Sequence, residues 1–178
     1  MVKKRVSLVK FKLSFLKTTP YISWLKKYEN IKYIGREELF KKIRIKVIRE
    51  YITKNIKCKN SRMFLILNEE KDPIGTCKIA HIDWYHKRGD FGILIDRTYQ
   101  GKGYGAEAAS LLINYSFKIL KLNKITGGCL KKNIAMKNIF FKNKFRQEGF
   151  HKNHTRVKNK FLDHVSYGLL KKNFYNPL

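Results

Sequence analysis

The chain has 178 residues, 43% of them apolar and 13% aromatic, which suits one globular domain with a real core and excludes a disordered segment. Forty Lys and Arg against 13 Asp and Glu give a formal charge of +27; an A/T-biased genome accounts for abundant Lys but not for the shortage of acids, so part of the charge is expected to serve an anionic partner: cofactor phosphates, a nucleotide-linked substrate, RNA or a membrane surface. The three cysteines are far apart and form no C-x-x-C, which argues against a disulfide framework or a zinc knuckle.

Val6 to Leu16 alternates like an opening strand. Thr19 as cap and Pro20 at the first helical position predict a short helix through Lys27. Glu37 to about Lys54 predicts an amphipathic helix docked on a sheet. Its stripe is Leu39, Ile43, Val47 and Tyr51, widened by Phe40, Ile48 and Ile52. Three strands follow, Met63 to Leu67, Ile74 to Trp84 and Asp90 to Asp96, with turns at Asn68 to Pro73 and Tyr85 to Gly89. Then come a helix (Ala106 to Leu122), a strand (Lys124 to Leu130) and a short helix (Ala135 to Lys144). Two strands over Gly149 to Leu170, turning at Lys158-Asn159-Lys160, complete the order β-α-α-β-β-β-α-β-α-β-β. That order predicts an α/β (α+β) chain: a mixed, mostly antiparallel twisted sheet of six or seven strands with helices on both faces. No Ser/Gly/Pro linker interrupts it, so residues 1–178 read as a single domain.

The most informative stretch is Gln100-Gly-Lys-Gly-Tyr-Gly105. It lies between the apolar Phe91-Gly92-Ile93-Leu94-Ile95 and the helix from Ala106. Strand, glycine loop and helix start together form a place to hold a phosphate: glycines admit close approach, and the first helical amides point at the anion. No Gly-Lys-Ser or Gly-Lys-Thr makes it a P-loop. A dinucleotide fingerprint is not supported either, since the loop lies past mid-chain and Ile119 to Lys124 supplies no carboxylate. An ordinary glycine turn capping a helix is the competing interpretation.

With this loop in that element order, the chain resembles the GNAT superfamily of acetyl-CoA-dependent N-acetyltransferases. Gln100, Gly103 and Gly105 match the family's Gln/Arg-x-x-Gly-x-Gly/Ala loop. The segment Asn133-Ile-Ala135-Met136-Lys-Asn138-Ile-Phe140-Phe-Lys142-Asn-Lys144-Phe145 is similar to the family's second motif. Tyr21-Ile-Ser-Trp24, Pro73-Ile-Gly-Thr76, Asp90-Phe-Gly92 and Tyr167-Gly-Leu-Leu170 resemble the branch of ribosomal-protein N-terminal and surface-sugar acetyltransferases. Three residues depart from the pattern. Phe140 stands where many members carry a tyrosine acid, Met136 replaces a small or hydroxyl residue, and Lys144 replaces a glycine.

The resemblance implies acetyl-CoA as co-substrate. Amides of Gly101, Lys102, Gly103, Tyr104, Gly105 and Ala106 would hold its pyrophosphate, with Gln100 and the Lys102 charge beside them. The backbone of Ile93, Leu94 and Ile95 would pair with the pantetheine, and an amide near Leu94 would polarise the thioester carbonyl. Asn133 would bond the pantetheine arm, cap the following helix, or do both. Asn138 and Phe140 are also placed at the cofactor by this resemblance. Asp90, expected to be buried beside the substrate ammonium, is the favoured base, with Asp83 and His81 behind it. Its bland alternative is a strand-end pair with a surface lysine. His151 and His154 have a metal pair's spacing but no Cys or carboxylate beside them, so no metal is expected.

Charge then ranks the acceptors. A +27 chain should repel polyamines and aminoglycosides, which places a nucleotide-linked amino sugar first and a protein N-terminus, such as a ribosomal protein's, second. An aminoacyl-tRNA ranks third, and a non-catalytic CoA- or RNA-binding protein is the alternative outside enzymes. Lysines are spread along the chain and not massed in one arm, which lowers the rank of nucleic acid as partner. Reduced thiols, and the interruption of a signal-peptide-like start by Lys10, Lys12 and Lys17, point to the cytoplasm, and the lack of a run of about 18 apolar residues to no membrane span; a monomer or a homodimer is expected.

Overall fold

The computed structural model describes residues 5–31, 33, 44–157 and 159–175. Seven strands form one sheet: β1 (Ser7–Lys10), β2 (Arg62–Leu67), β3 (Pro73–Asp83), β4 (Arg88–Ile95), β5 (Lys124–Leu130), β6 (Arg146–Val157) and β7 (Lys160–Leu170). Their spatial order is β1-β2-β3-β4-β5-β7-β6. Every pair is antiparallel except β4 with β5. The helices are α1 (Phe15–Thr18), α2 (Tyr21–Lys26), α3 (Tyr28–Ile31), α4 (Ile45–Lys57), α5 (Tyr104–Lys118), α6 (Ile134–Lys142) and α7 (Lys171–Tyr175). Among the described residues no helix is long and apolar enough to cross a membrane.

Strand β2 shows how the sheet divides the core. Met63, Phe64, Leu65 and Ile66 are all buried, and successive side chains point to opposite faces. Phe64 and Ile66 join a cluster with Ala108, Leu112, Ile113 and Phe117 of α5. Met63 and Leu65 join a second cluster with Trp24, Leu25, Ile48 and Ile52 of α2 and α4. No residue of β5, β6 or β7 belongs to that second cluster, so one face of that half of the sheet has no apolar cover from the described helices. Thr126, Gly128 and Ser166 lie partly or fully open to solvent.

Three expectations change. The opening strand is four residues long: Phe11, whose amide still donates to the Met63 carbonyl at 2.9 Å, enters the second cluster, and the chain then turns into α1. Thr19 does not cap the next helix: its hydroxyl donates back to the Phe15 carbonyl at 2.6 Å, and Pro20 stands at the cap position of α2. In α4 the buried pair is Ile48 and Ile52, whereas Val47 and Tyr51 face outward. The expected start of that helix, including Leu39, Phe40 and Ile43, lies outside the described residues.

Candidate active site

The junction between β4 and the loop is held by buried polar groups. Asn30 of α3 donates to Asp96 Oδ1 at 3.2 Å and accepts the Arg97 amide at 2.9 Å. Gln100 folds back and donates to the Ile95 carbonyl at 2.8 Å, clasping loop to strand. Gly101 and Gly103 then take φ of +79° and +92°, angles at which an L side chain is strained. Among the described residues, the amides of Gly101, Lys102, Gly103, Tyr104 and Gly105 donate to no acceptor. The Ala106 amide departs from expectation, since it closes the first turn of α5 on the Gly103 carbonyl at 3.0 Å. Five free N–H groups around a left-handed turn at a helix start form a concave anion nest.

The second motif lies against this nest. A Cβ on Gly105 would sit 3.0 Å from Ile139 Cδ1, so glycine there admits α6. Buried Asn143 donates to the Ala106 carbonyl at 3.2 Å and ties the end of α6 to the start of α5. Asn133 caps α6, accepting the Met136 amide at 3.0 Å, and Asn138 is exposed on that helix. Lys102 is exposed, its ammonium 5.6 Å from the centre of the Tyr99 ring. Phe140 is fully buried, stacked on Tyr167 at 4.6 Å with Phe145 at 5.0 Å and Phe91 at 6.2 Å. Its ring tip approaches β5, 3.0 Å from where a Cβ on Gly127 would stand.

Strands β4 and β5 pair through Arg88–Lys124, Gly89–Ile125 and Asp90–Thr126 and then part. From Phe91 to Ile95, β3 is the partner strand of β4 among the described residues, which leaves the other backbone edge of β4 free. Such an edge can accept an extended ligand as an added strand. Ile93 and Ile95 turn toward the α5 core and Leu94 toward the second one.

Asp90 stands where the strands part. Its carboxylate is about half exposed (52%) and not buried as expected. Among the described residues it pairs with no lysine either: Oδ2 lies 2.9 Å from His81 Nδ1, and Oδ1 accepts from the Thr126 hydroxyl. His81 is 84% exposed and occupies a bulge of β3 with φ of +48°. Asp83 is matched by Arg88 at 3.7 Å and Glu148 by Lys124 at 2.8 Å; at the far end of β5, Asp163 is matched by Lys131 at 3.6 Å. Backbone donation from the His86 amide holds the Asp83 carboxyl below its ordinary range.

Farther along the same open half, His151 and His154 meet His164 of β7, with ring centres 5.0, 5.6 and 6.1 Å apart. His164 Nδ1 is buried without a hydrogen-bond partner, and burial together with the two neighbouring rings lowers its pKa. Among the described residues no three His, Cys, Asp or Glu side chains are arranged to hold a metal ion.

Sequence reasoning missed Thr126, Asn143 and Arg5. Thr126 reaches Asp90 only through strand register, and Asn143 is one polar residue near the end of a helix. Arg5 is one of 40 basic residues, yet its guanidinium contacts the glycine loop.

Comparison with known proteins agrees with this geometry. The chain is 30% identical to the uncharacterized N-acetyltransferase p20 of Bacillus licheniformis over 64% of either chain. It is 32% identical to the spermidine N(1)-acetyltransferase of Vibrio cholerae over 44% of this chain and 45% of that one. These matches span less than two thirds of the relatives' length. The crystal structure of spermidine N-acetyltransferase from Vibrio cholerae in complex with CoA and spermine superposes with a TM-score of 0.88, at 21% identity, over 98% of this chain and 100% of that one, a likeness of fold. None of these relatives is named as a ribosomal-protein or surface-sugar acetyltransferase, so the expected branch receives no support. The acetyltransferase (GNAT) domain family matches residues 8–146, and the chain belongs to that family.

Proposed function

We propose that this chain transfers an acetyl group from acetyl-CoA to the primary amine of a small molecule. The observation that carries this reading is the free-amide nest at residues 101–105, at the end of a strand whose outer edge is unpaired. The nest suits a diphosphate, and the free edge of Phe91 to Ile95 suits an extended amide-bearing arm. The thioester would then lie where β4 and β5 part. An amide near Leu94 would polarise its carbonyl, and Asp90 would take the proton from the attacking ammonium. His81, bonded to Asp90 and open to solvent, gives that proton an exit. Phe140 carries no hydroxyl, so the departing thiolate is protonated by water.

For the acceptor, a molecule with one ammonium group, such as a nucleotide-linked amino sugar, fits the open face. Asp90 is bonded there to His81 and Thr126, while Asp83 and Glu148 are each matched by Arg or Lys. A polycation needs several unmatched carboxylates. A polyamine is the second reading, favoured by the likeness to spermidine acetyltransferases. CoA-thiol release, measured with amino-sugar nucleotides, polyamines and free-N-terminus peptides as separate pools, tests both. Release with amino sugars alone supports the first reading, and release with polyamines alone replaces it with the second. No release from any pool, with acetyl-CoA bound, overturns the enzymatic proposal for these acceptors.

A further inference from the structure

Arg5, two residues ahead of β1, reaches the glycine loop. Arg5 donates from Nε to Glu107 Oε1 at 2.8 Å and forms an ion pair with the same oxygen through Nη2. Nη2 also donates to the Lys102 carbonyl at 3.3 Å. The guanidinium lies over the Tyr104 ring, 5.1 Å from its centre, and the Tyr104 hydroxyl donates to Glu69 in the β2–β3 turn at 3.2 Å. A Cβ on Gly103 would stand 2.9 Å from Arg5 Nη2, so the guanidinium occupies the side of the left-handed turn toward which a side chain would project.

We propose that Arg5 is a positioning residue for the diphosphate-binding loop. This rests on the reading of residues 101–105 as that loop. Two physical effects combine. A loop with glycines at 101, 103 and 105 loses much backbone freedom on ordering, and a clamp that orders it before the ligand arrives raises affinity. In addition, Glu107 carries a negative charge in the first turn of α5, beside the place an anion would occupy. Pairing with Arg5 masks that charge, and the same pairing raises the Arg5 pKa. A guanidinium can reach the carboxylate through Nε and Nη2 and the carbonyl as well, whereas an ammonium offers no such fork.

The test compares acetyl-CoA with acetyl-pantetheine, which lacks the diphosphate. Arg5→Ala should weaken CoA binding about tenfold by calorimetry and raise the acetyl-CoA KM equally, with kcat within about twofold of the original. Its KM for acetyl-pantetheine should not move. Arg5→Lys should fall between the two proteins, since it restores the charge without the fork. Unchanged CoA affinity in Arg5→Ala, or an equal loss with both donors, would overturn the proposal. An original chain that binds no CoA overturns the reading of the loop, and the role of Arg5 with it.

Discussion

The glycine loop and the open face of the sheet are built in opposite ways. The turn of the loop is set by neighbours in sequence, Gln100 clasping Ile95 and Gly103 starting α5, while Arg5 and Asn143 brace it from distant segments. The open face takes His81 from β3, Asp90 from β4, Thr126 from β5, Glu148 from β6 and His164 from β7. An anion can be held by backbone amides, which any residue supplies once the turn is right. Proton transfer needs particular side chains on one face, and a one-residue slip in register would turn each of them away.

Asp90→Asn should separate the two regions most sharply. It should lower kcat by about 10²–10⁴-fold while CoA affinity stays unchanged. Turnover close to the original would remove the open face from the chemistry. Phe140→Ala tests the packing that joins the regions. Emptying the ring cluster around Phe91, Phe145 and Tyr167 should cost about 3–5 kcal/mol in chemical denaturation. A much smaller loss would mean that the cluster collapses into the space.

Gly103→Ala acts on the loop side alone. The left-handed backbone and the Arg5 guanidinium both oppose a Cβ, at a cost of about 1–2 kcal/mol. CoA affinity should fall, and turnover of acetyl-pantetheine should persist. Equal loss of both would show that the loop and the open face are not separable.

The smallest effect belongs to His164. Its folded pKa lies below the ordinary 6.5, so below that pH the unfolded chain takes up a proton that the folded cluster refuses. Stability therefore falls as pH drops from 6.5 toward the lowered folded value and is fully present above 6.5. His164→Gln should flatten that part of a melting-temperature profile, and an unchanged slope would assign the acid sensitivity to other groups.

Much of the fold was legible in the residues. The strand Lys124–Leu130 has its expected bounds, and the helices after the loop and after Asn133 begin within two residues of expectation. Buried apolar runs and glycine turns are strong local signals. The four-residue helices α1 and α3 carry no such periodicity. In α4 the outward turn of Val47 and Tyr51 depends on which side meets the sheet, and a symmetric apolar stripe does not specify that.

The sequence by itself determined the glycine loop, the strand before it and the family, because each is written in consecutive residues with short-range geometry. The tertiary structure alone decided that Asp90 is open and bonded to His81 and Thr126, that Phe140 is sealed among aromatic rings, and that Arg5 braces the loop. Those contacts join residues 9, 36 and 97 positions apart, and Phe140 meets Phe91 across the fold. Strand register and helix docking set such distances, and no local spacing encodes them.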